Sequence, residues 1–502
     1  MLRSLLSVGG FTLLSRAVGF VRDILMASVL GRGILSDAFV IAFRLPNHFR
    51  AIFAEGAYNA AFIPLYTSLR QQGGDAARTF ARTMLGWQIA IQLVVLVAAL
   101  IFMPWVVAAL APGFTERPEQ MALAVELTRI TFAYLLCLAV VTHLGDTLNA
   151  EKTFWPAAAA PVLLNLCMIA ALSTAVYFPT AAHAAAWGVF AGGIGEVLLL
   201  VFATARNGLP VLPLWPRATA DVRRFAARFG PAALGAGGVQ IALFADTILV
   251  SFLAVGEPTS LYYADRVNQL PIGVIGVALG TVLLPELSRA LAVGDEVKAT
   301  HSFNRATEIG LLLTLPCLVM FLAAPDAIMR GLFARGAFDV QAAEAAGGVL
   351  MAYAIGLPAF VLLRTVTPLF HARADTTTPV IATAVAIVVN LAMKFALIFG
   401  VGLGASGLAL GTSVGSWVNI AVLAAVAAHR GLLNLDTRLM EMAPRIVLAA
   451  VYATGVVWLI SQPLADAFAA VTFLRAELYL VIVGLAALAS YGVMLLGLGW
   501  KR

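Results

Sequence analysis

Asp23-Ile24-Leu25-Met26-Ala27-Ser28-Val29-Leu30 and Asp246-Thr247-Ile248-Leu249-Val250-Ser251-Phe252-Leu253 are two versions of one octapeptide, about 223 residues apart. The echo continues outward at offsets of about 223 to 225. Leu45-Pro46 returns as Leu270-Pro271, Ala150-Glu151-Lys152-Thr153 with Asn165-Leu166 returns as Ala374-Asp375-Thr376-Thr377 with Asn390-Leu391, and Trp187-Gly188 returns as Leu410-Gly411. One offset recurring through unrelated segments marks an internal duplication.

The material being duplicated is membrane-spanning. The 502 residues are 61% hydrophobic and only 12% charged, with mean hydropathy +0.94, whereas soluble domains run near a quarter charged. Apolar windows of about 20 residues place about fourteen helices, with 5–31, 36–66 and 80–111 first, 260–288 eighth, 343–370 tenth, and 440–461 and 476–498 last. The first window runs through Arg16 and Arg22 with no small-residue cleavage site, so it reads as a transmembrane helix rather than a signal peptide. Six spans fit within the repeat offset, and an even number preserves orientation. The expected fold is therefore an all-α polytopic membrane protein. Two parallel-repeat six-helix lobes, 1–210 and 211–430, surround a central cavity, and 431–502 adds two helices.

Charge in the loops gives the sidedness. With the N-terminus inside, cytoplasmic ends collect about 19 Lys and Arg and the opposite loops about 5, which places both termini in the cytoplasm. The same bias explains the net charge of +6 without a nucleic-acid partner. Cys137, Cys167 and Cys317 lie in apolar runs at no metal-ligand spacing and read as small core residues. No nucleophile motif or metal-ligand cluster is present in the sequence, so neither a catalytic centre, a metal nor a cofactor is expected. Gly402, Gly404 and Gly407 spell a dinucleotide-type pattern, but they open a membrane span with no strand before them, so a turn and close helix packing are expected.

The candidate site is a set of charges inside apolar stretches: Arg16 and Arg22 in span 1, Asp37, Arg44, Arg50 and Glu55 in span 2, and Arg266 in span 8. Each costs roughly 2.5 to 3.5 kcal/mol at the bilayer centre on insertion scales and so needs a partner, a water-filled cavity or an anionic ligand. Arg16 and Arg22, six residues apart, fall about 120° apart around a helix and would line two walls of a cleft. Guanidinium forks stay charged and bind phosphate oxygens bidentately, which points to a phosphate or pyrophosphate headgroup. Structural pairings compete with this reading. Glu126 and Arg129 are spaced to neutralise each other, Arg22 and Asp23 are expected to diverge, as are Asp265 and Arg266, and His143 and Asp146 are expected to form a structural hydrogen bond in preference to a proton relay.

Ser15-Arg16-x-x-Gly19-Phe20-x-Arg22-Asp23, Ser36-Asp37-Ala38-Phe39, Leu45-Pro46-Asn47, Phe53-Ala54-Glu55-Gly56-Ala57, Tyr262-Tyr263-Ala264-Asp265-Arg266, Gly276 to Thr281 and Phe333-x-Arg335-Gly336-Ala337-Phe338 resemble the MurJ (MviN) family of lipid II flippases, nearly end to end. The resemblance implies a fold of the multidrug/oligosaccharidyl-lipid/polysaccharide exporter superfamily, with the two extra helices forming a groove for an undecaprenyl tail. It implies a non-enzymatic transporter in the bacterial inner membrane that moves lipid II from the cytoplasmic to the periplasmic leaflet by alternating access. Its partners would be lipid II, membrane lipids and other cell-wall synthesis proteins, and a membrane potential or ion gradient would supply energy. Arg16, Arg22, Arg50 and Arg266 match the family's cavity arginines, and Asp37 and Glu55 its acidic positions. Two departures stand out. Ala51 replaces a second arginine, and Lys394 stands where some relatives complete a sodium site with residues matching Asp246 and Asn390. An Asp246–Lys394 ion pair is expected instead, with Asp23 and Asp265 as further gating or ion-pair residues. The rival readings are an exporter of another polyprenyl-linked oligosaccharide or of a drug, and a non-transporting cell-wall scaffold.

Overall fold

A computed structural model describes residues 2–53, 57–468 and 475–500, with the side chains of 2–7, 48–53, 232 and 234–241 outside what is described. The described residues are helical almost throughout, and their only β-bridge joins Arg335 and Phe338. They form two compact units, 1–256 with 335–338, and 257–334 with 339–502.

The first unit contains α1 (Leu2–Leu30), α2 (Ile34–Phe53), α3 (Ala57–Gln72), α4 (Gly74–Leu110), α5 (Pro118–Phe132), α6 (Tyr134–Ala150), α7 (Trp155–Ser173), α8 (Ala181–Arg206) and α9 (Ala220–Ser251). Here α7 packs against α1 and α8, α2 against α5, and α9 against α2 and α3. Division by packing thus falls after α9, and division by sequence repeat falls before it. Helix starts carry local causes: the Thr219 hydroxyl caps α9 at the Val222 N–H, and Pro118 and Pro156 sit in first turns, where a missing N–H is harmless.

The 207–219 connection is strapped along α4. Arg82 Nε donates to Leu212 O at 3.0 Å, Leu214 N to Arg82 O at 2.9 Å, and Trp87 Nε1 to Arg217 O at 3.1 Å. Gly86 makes the close approach possible, because a Cβ there would lie 1.9 Å from Leu214 O.

The second unit contains α10 (Glu257–Pro271), α11 (Val277–Ala292), α12 (Glu296–Ala323), α13 (Pro325–Phe333), α14 (Val340–Ala354), α15 (Leu357–His371), α16 (Thr377–Phe395), α17 (Gly404–His429), α18 (Thr437–Ala467) and α19 (Arg475–Gly497). A π-helical segment, Ile272–Gly276, joins α10 to α11 directly after Pro271, where the missing N–H breaks the i→i−4 ladder. A second, Ala396–Val401, ends at left-handed Gly402 (φ 78°), so the apparent dinucleotide motif is a helix cap followed by packing of Gly407 on Leu397. The two added helices share one apolar core with α12 and α13, centred on Leu315, Val319, Ile446, Val457, Val483 and Tyr491. Polar ties reinforce it: Arg305 reaches Asp436 at 2.6 Å and pairs with Glu308, which Arg438 also contacts at 3.2 Å.

The duplication is visible as a matched pair of helix crossings. In the first unit Gly188 and Gly192 of α8 lie against α7, where Cβ atoms would come 2.9 Å from the Met168 and Leu164 Cα atoms. In the second unit Gly411 and Gly415 of α17 lie against α16, where Cβ atoms would come 2.4 Å from Lys394 Cγ and 2.7 Å from Asn390 Cβ. Glycines four apart put bare backbone on one helix face, the small-residue solution to close packing in a bilayer.

Eleven described helical stretches are long and apolar enough to cross a membrane, three of them formed by consecutive helices, α5 with α6, α10 with α11 and α14 with α15. These do not include α1, α2 with α3, or α9, three of the about fourteen spans expected. Each of these three segments runs through positions outside what is described, within 2–7, 48–56 and 232–241 respectively. The expected span 36–66 is two helices, and the expected span at 343–370 is broken at Ile355-Gly356.

Candidate functional site

The charges of the first unit sort into paired and unpaired. Arg22 and Asp23, expected to diverge, are instead joined: Arg22 Nη2 lies 2.6 Å and Nε 3.1 Å from Asp23 Oδ1. Neighbouring Cα–Cβ vectors on a helix are about 100° apart, but the long guanidinium stem folds back over that gap. Arg22 Nη1 donates to Asn165 Oδ1 of α7 at 2.8 Å, and Asn165 Nδ2 donates to Ser15 O at 3.2 Å. Gly19 leaves room for this amide, since a Cβ there would sit 3.2 Å from Asn165 Nδ2. The Phe43 ring lies 5.8 Å from the Arg22 guanidinium carbon. With Arg22 7% and Asp23 4% exposed, this is a buried, compensated node tying α1 to α7.

Arg16, about a turn and a half earlier, is exposed, and Arg44 of α2 is half-buried; neither has a partner among the described residues. Arg129 of α5 is exposed and likewise unpartnered. Its expected partner Glu126 lies 3.1 Å from His183 Nε2 of α8 instead, because the α5–α8 contact brings a closer base than the helical spacing does. Asp37 is fully buried at the start of α2, where Oδ2 accepts the Gly256 N–H at 2.6 Å while Arg32 Nε donates to Gly256 O at 3.1 Å. Asp37 is thus a backbone anchor at the end of α9. Arg50 lies on α2, with its side chain outside what is described, and Glu55 lies outside the described residues.

In the second unit Arg266 sits on α10 with its guanidinium carbon 4.8 Å from the Tyr262 ring centroid, and Asp265 accepts from Gln269 Nε2. Lys394 is 1% exposed, its stem pressed on Gly411, and Asn390 packs on Gly415. Asp246 is half-buried on α9 of the first unit. Sequence reasoning passed over Arg364, which lies in α15 inside the run Leu357-Pro358-Ala359-Phe360-Val361-Leu362-Leu363-Arg364. It is exposed, unpartnered among the described residues, and lies along Gly276 and Gly280, whose Cβ atoms would meet its side chain at 3.2 and 3.9 Å. An arginine breaking an apolar helix was the available signal.

Each unit therefore carries guanidinium groups unpartnered among the described residues: Arg16, Arg44 and Arg129 in the first, Arg364 in the second. Many membrane helices, several carrying guanidinium groups unpaired among the described residues, define a polytopic transporter suited to an anionic cargo. The fold agrees. A solved structure titled "Lipid II flippase MurJ, inward closed conformation" aligns over 97% of both chains with TM-score 0.79 at 24% identity. An inward-facing multidrug resistance MATE family transporter of the MOP superfamily aligns over 86% of this chain and 96% of its own, with TM-score 0.66 at 15% identity.

Sequence comparison makes the assignment specific. The family described as "Lipid II flippase MurJ" matches residues 26–479. The "Probable lipid II flippase MurJ" of Rhizobium meliloti is 38% identical over 99% of this chain and 94% of its own length. The "Lipid II flippase MurJ" of Burkholderia cenocepacia is 34% identical over 91% and 89%. The chain belongs to the MurJ family.

Proposed function

We propose that this protein is a lipid II flippase. It moves the undecaprenyl-pyrophosphate-linked peptidoglycan precursor from the cytoplasmic to the periplasmic leaflet, by alternating access of the two repeat lobes. The observation that carries the reading is the set of intramembrane arginines without a protein partner, since such charges call for an anionic ligand. In this reading the arginines of each unit, Arg16, Arg44 and Arg50 in the first and Arg266 and Arg364 in the second, serve the pyrophosphate and the sugar-peptide headgroup. Arg22 supports the site through Asp23 and Asn165, while Asp37 and Glu55 position the second span. The lipid tail stays in the bilayer against the added helices α18 and α19.

The protein resides in the bacterial inner membrane with both termini cytoplasmic, a placement supported by the bias of Lys and Arg among the loops. It performs no covalent chemistry and takes no cofactor. The membrane potential drives or resets the cycle, each charge crossing 100 mV being worth about 2.3 kcal/mol. Other cell-wall synthesis proteins are its partners.

The test is complementation of a strain depleted of its own lipid II flippase, using the intact chain and Arg16→Ala and Arg364→Ala variants at matched membrane abundance. Rescue by the intact chain alone supports anionic-headgroup transport. Rescue by all three removes the arginine site and favours a scaffold.

A further inference from the structure

The first unit holds a buried acid that the arginine site does not use. Asp146, on α6 about one turn before its end at Ala150, is 3% exposed, and its Oδ2 is buried with no hydrogen-bond partner. It does not bond to His143, as its spacing suggested. His143 Nδ1 instead lies 2.8 Å from the Tyr58 hydroxyl of α3, and these two groups share that hydrogen bond.

Among the described side chains the remaining neighbours offer no counter-charge; those of His48 and Arg50 on α2 lie outside what is described. The elements packed on α6 are α2, α3, α4, α5, α7 and α8. On α4, Arg78 and Arg82 donate to Gly208 O and Leu212 O; on α5, Glu126 lies against His183 and Arg129 is exposed. On α8, Glu196 accepts from Tyr134 of α6 itself; on α3, Tyr66 donates to Glu151. Asp37 of α2 holds Gly256, Arg44 of α2 has no carboxylate partner, and α7 contributes only Cys167. Ionising a carboxyl whose Oδ2 is buried with no donor carries a desolvation cost, so this arrangement favours the protonated acid.

We infer that Asp146 is a proton-exchange site: it holds a proton while enclosed by α3 and α6, and releases it to water when transport opens that packing. The step is –COOH to –COO⁻ with the proton passing to water, and the reverse on closure. It makes a proton part of the cycle and gives transport a pH dependence. The inference rests on the flippase reading, but its first test does not.

The intact chain in proteoliposomes is treated with dicyclohexylcarbodiimide, which modifies protonated carboxyls in apolar surroundings, and labelled peptides are mapped by mass spectrometry. Labelling of Asp146 that falls as pH rises is expected. Translocation of fluorescent lipid II is then followed against pH for the intact chain, Asp146→Asn and Asp146→Glu. One titrating group gives a limb of up to about tenfold per pH unit. That limb should flatten in the Asn variant and persist, displaced, in the Glu variant, which also serves as the control if Asn impairs folding. No pH-dependent labelling overturns the inference, as does labelling combined with an unchanged profile in Asp146→Asn, the signature of a static neutral acid. If the intact chain moves no lipid II, the flippase reading fails and the labelling alone decides for or against Asp146.

Discussion

Removing the Asp23 carboxylate should be far more harmful than removing Asp23 and Arg22 together. In Asp23→Ala, the Arg22 guanidinium loses both contacts to Oδ1, at 2.6 and 3.1 Å, while its contacts to Asn165 and Met168 remain. With Arg22 only 7% exposed, water cannot replace them. Stripping one partner from a buried pair costs about 3 to 5 kcal/mol, whereas replacing both by apolar residues of similar size is often neutral. Arg22→Met with Asp23→Leu should therefore recover most of the loss, giving a coupling on the order of 3 kcal/mol in the double-mutant cycle. The assay is unfolding of purified protein in mixed micelles of SDS and a mild detergent. Complementation run alongside separates fold from function, and the stable double variant should still fail to support growth if the node also holds the substrate-facing arginines in place. Single losses that simply add, within about 0.5 kcal/mol, would refute the buried-pair account.

Other outcomes follow from the same geometry. Gly411→Ala should destabilise by about 1 to 3 kcal/mol through overpacking on Lys394, while Gly9→Ala, which meets nothing within 4 Å, should be neutral or stabilising; both are read by the same unfolding curves. Asp37→Ala leaves the Gly256 N–H without its acceptor, a cost of about 1 to 3 kcal/mol, and amide hydrogen exchange at Gly256 should accelerate while that at Leu214 stays unchanged. Asp375 has its carboxyl held below the usual range by the Thr378 hydroxyl and N–H and by Arg430. A depressed carboxylate stabilises the fold fully above its unfolded value of about 4 and progressively less as pH falls towards the depressed one. Asp375→Asn should therefore flatten the acid limb of stability against pH, and an unchanged limb would rule out this carboxylate as its source.

The sequence repeat and the hydropathy of the spans carried the fold, because in a bilayer burial and backbone satisfaction leave helices as the available element. The Trp187-Gly188 and Leu410-Gly411 match even pointed to the crossings at which Gly188 and Gly411 pack. Pairings were harder to read. Spacing on one helix suggested Glu126 with Arg129 and His143 with Asp146, yet His183 and Tyr58 arrive from other helices and take those partners. Sequence distance measures position on a cylinder, and tertiary contact decides which polar groups meet. Arg364 escaped because its window remains apolar on average, and averaging conceals a single charge.

The strapped 207–219 connection has a practical consequence for taking the molecule apart. Its carbonyls at Gly208, Leu212 and Arg217 are held by side chains of one rigid helix, so the segment is a fixed rail rather than slack between the repeats. A nick introduced there should leave both new ends in place, and two separately expressed fragments meeting within it would find their docking surface already built into α4.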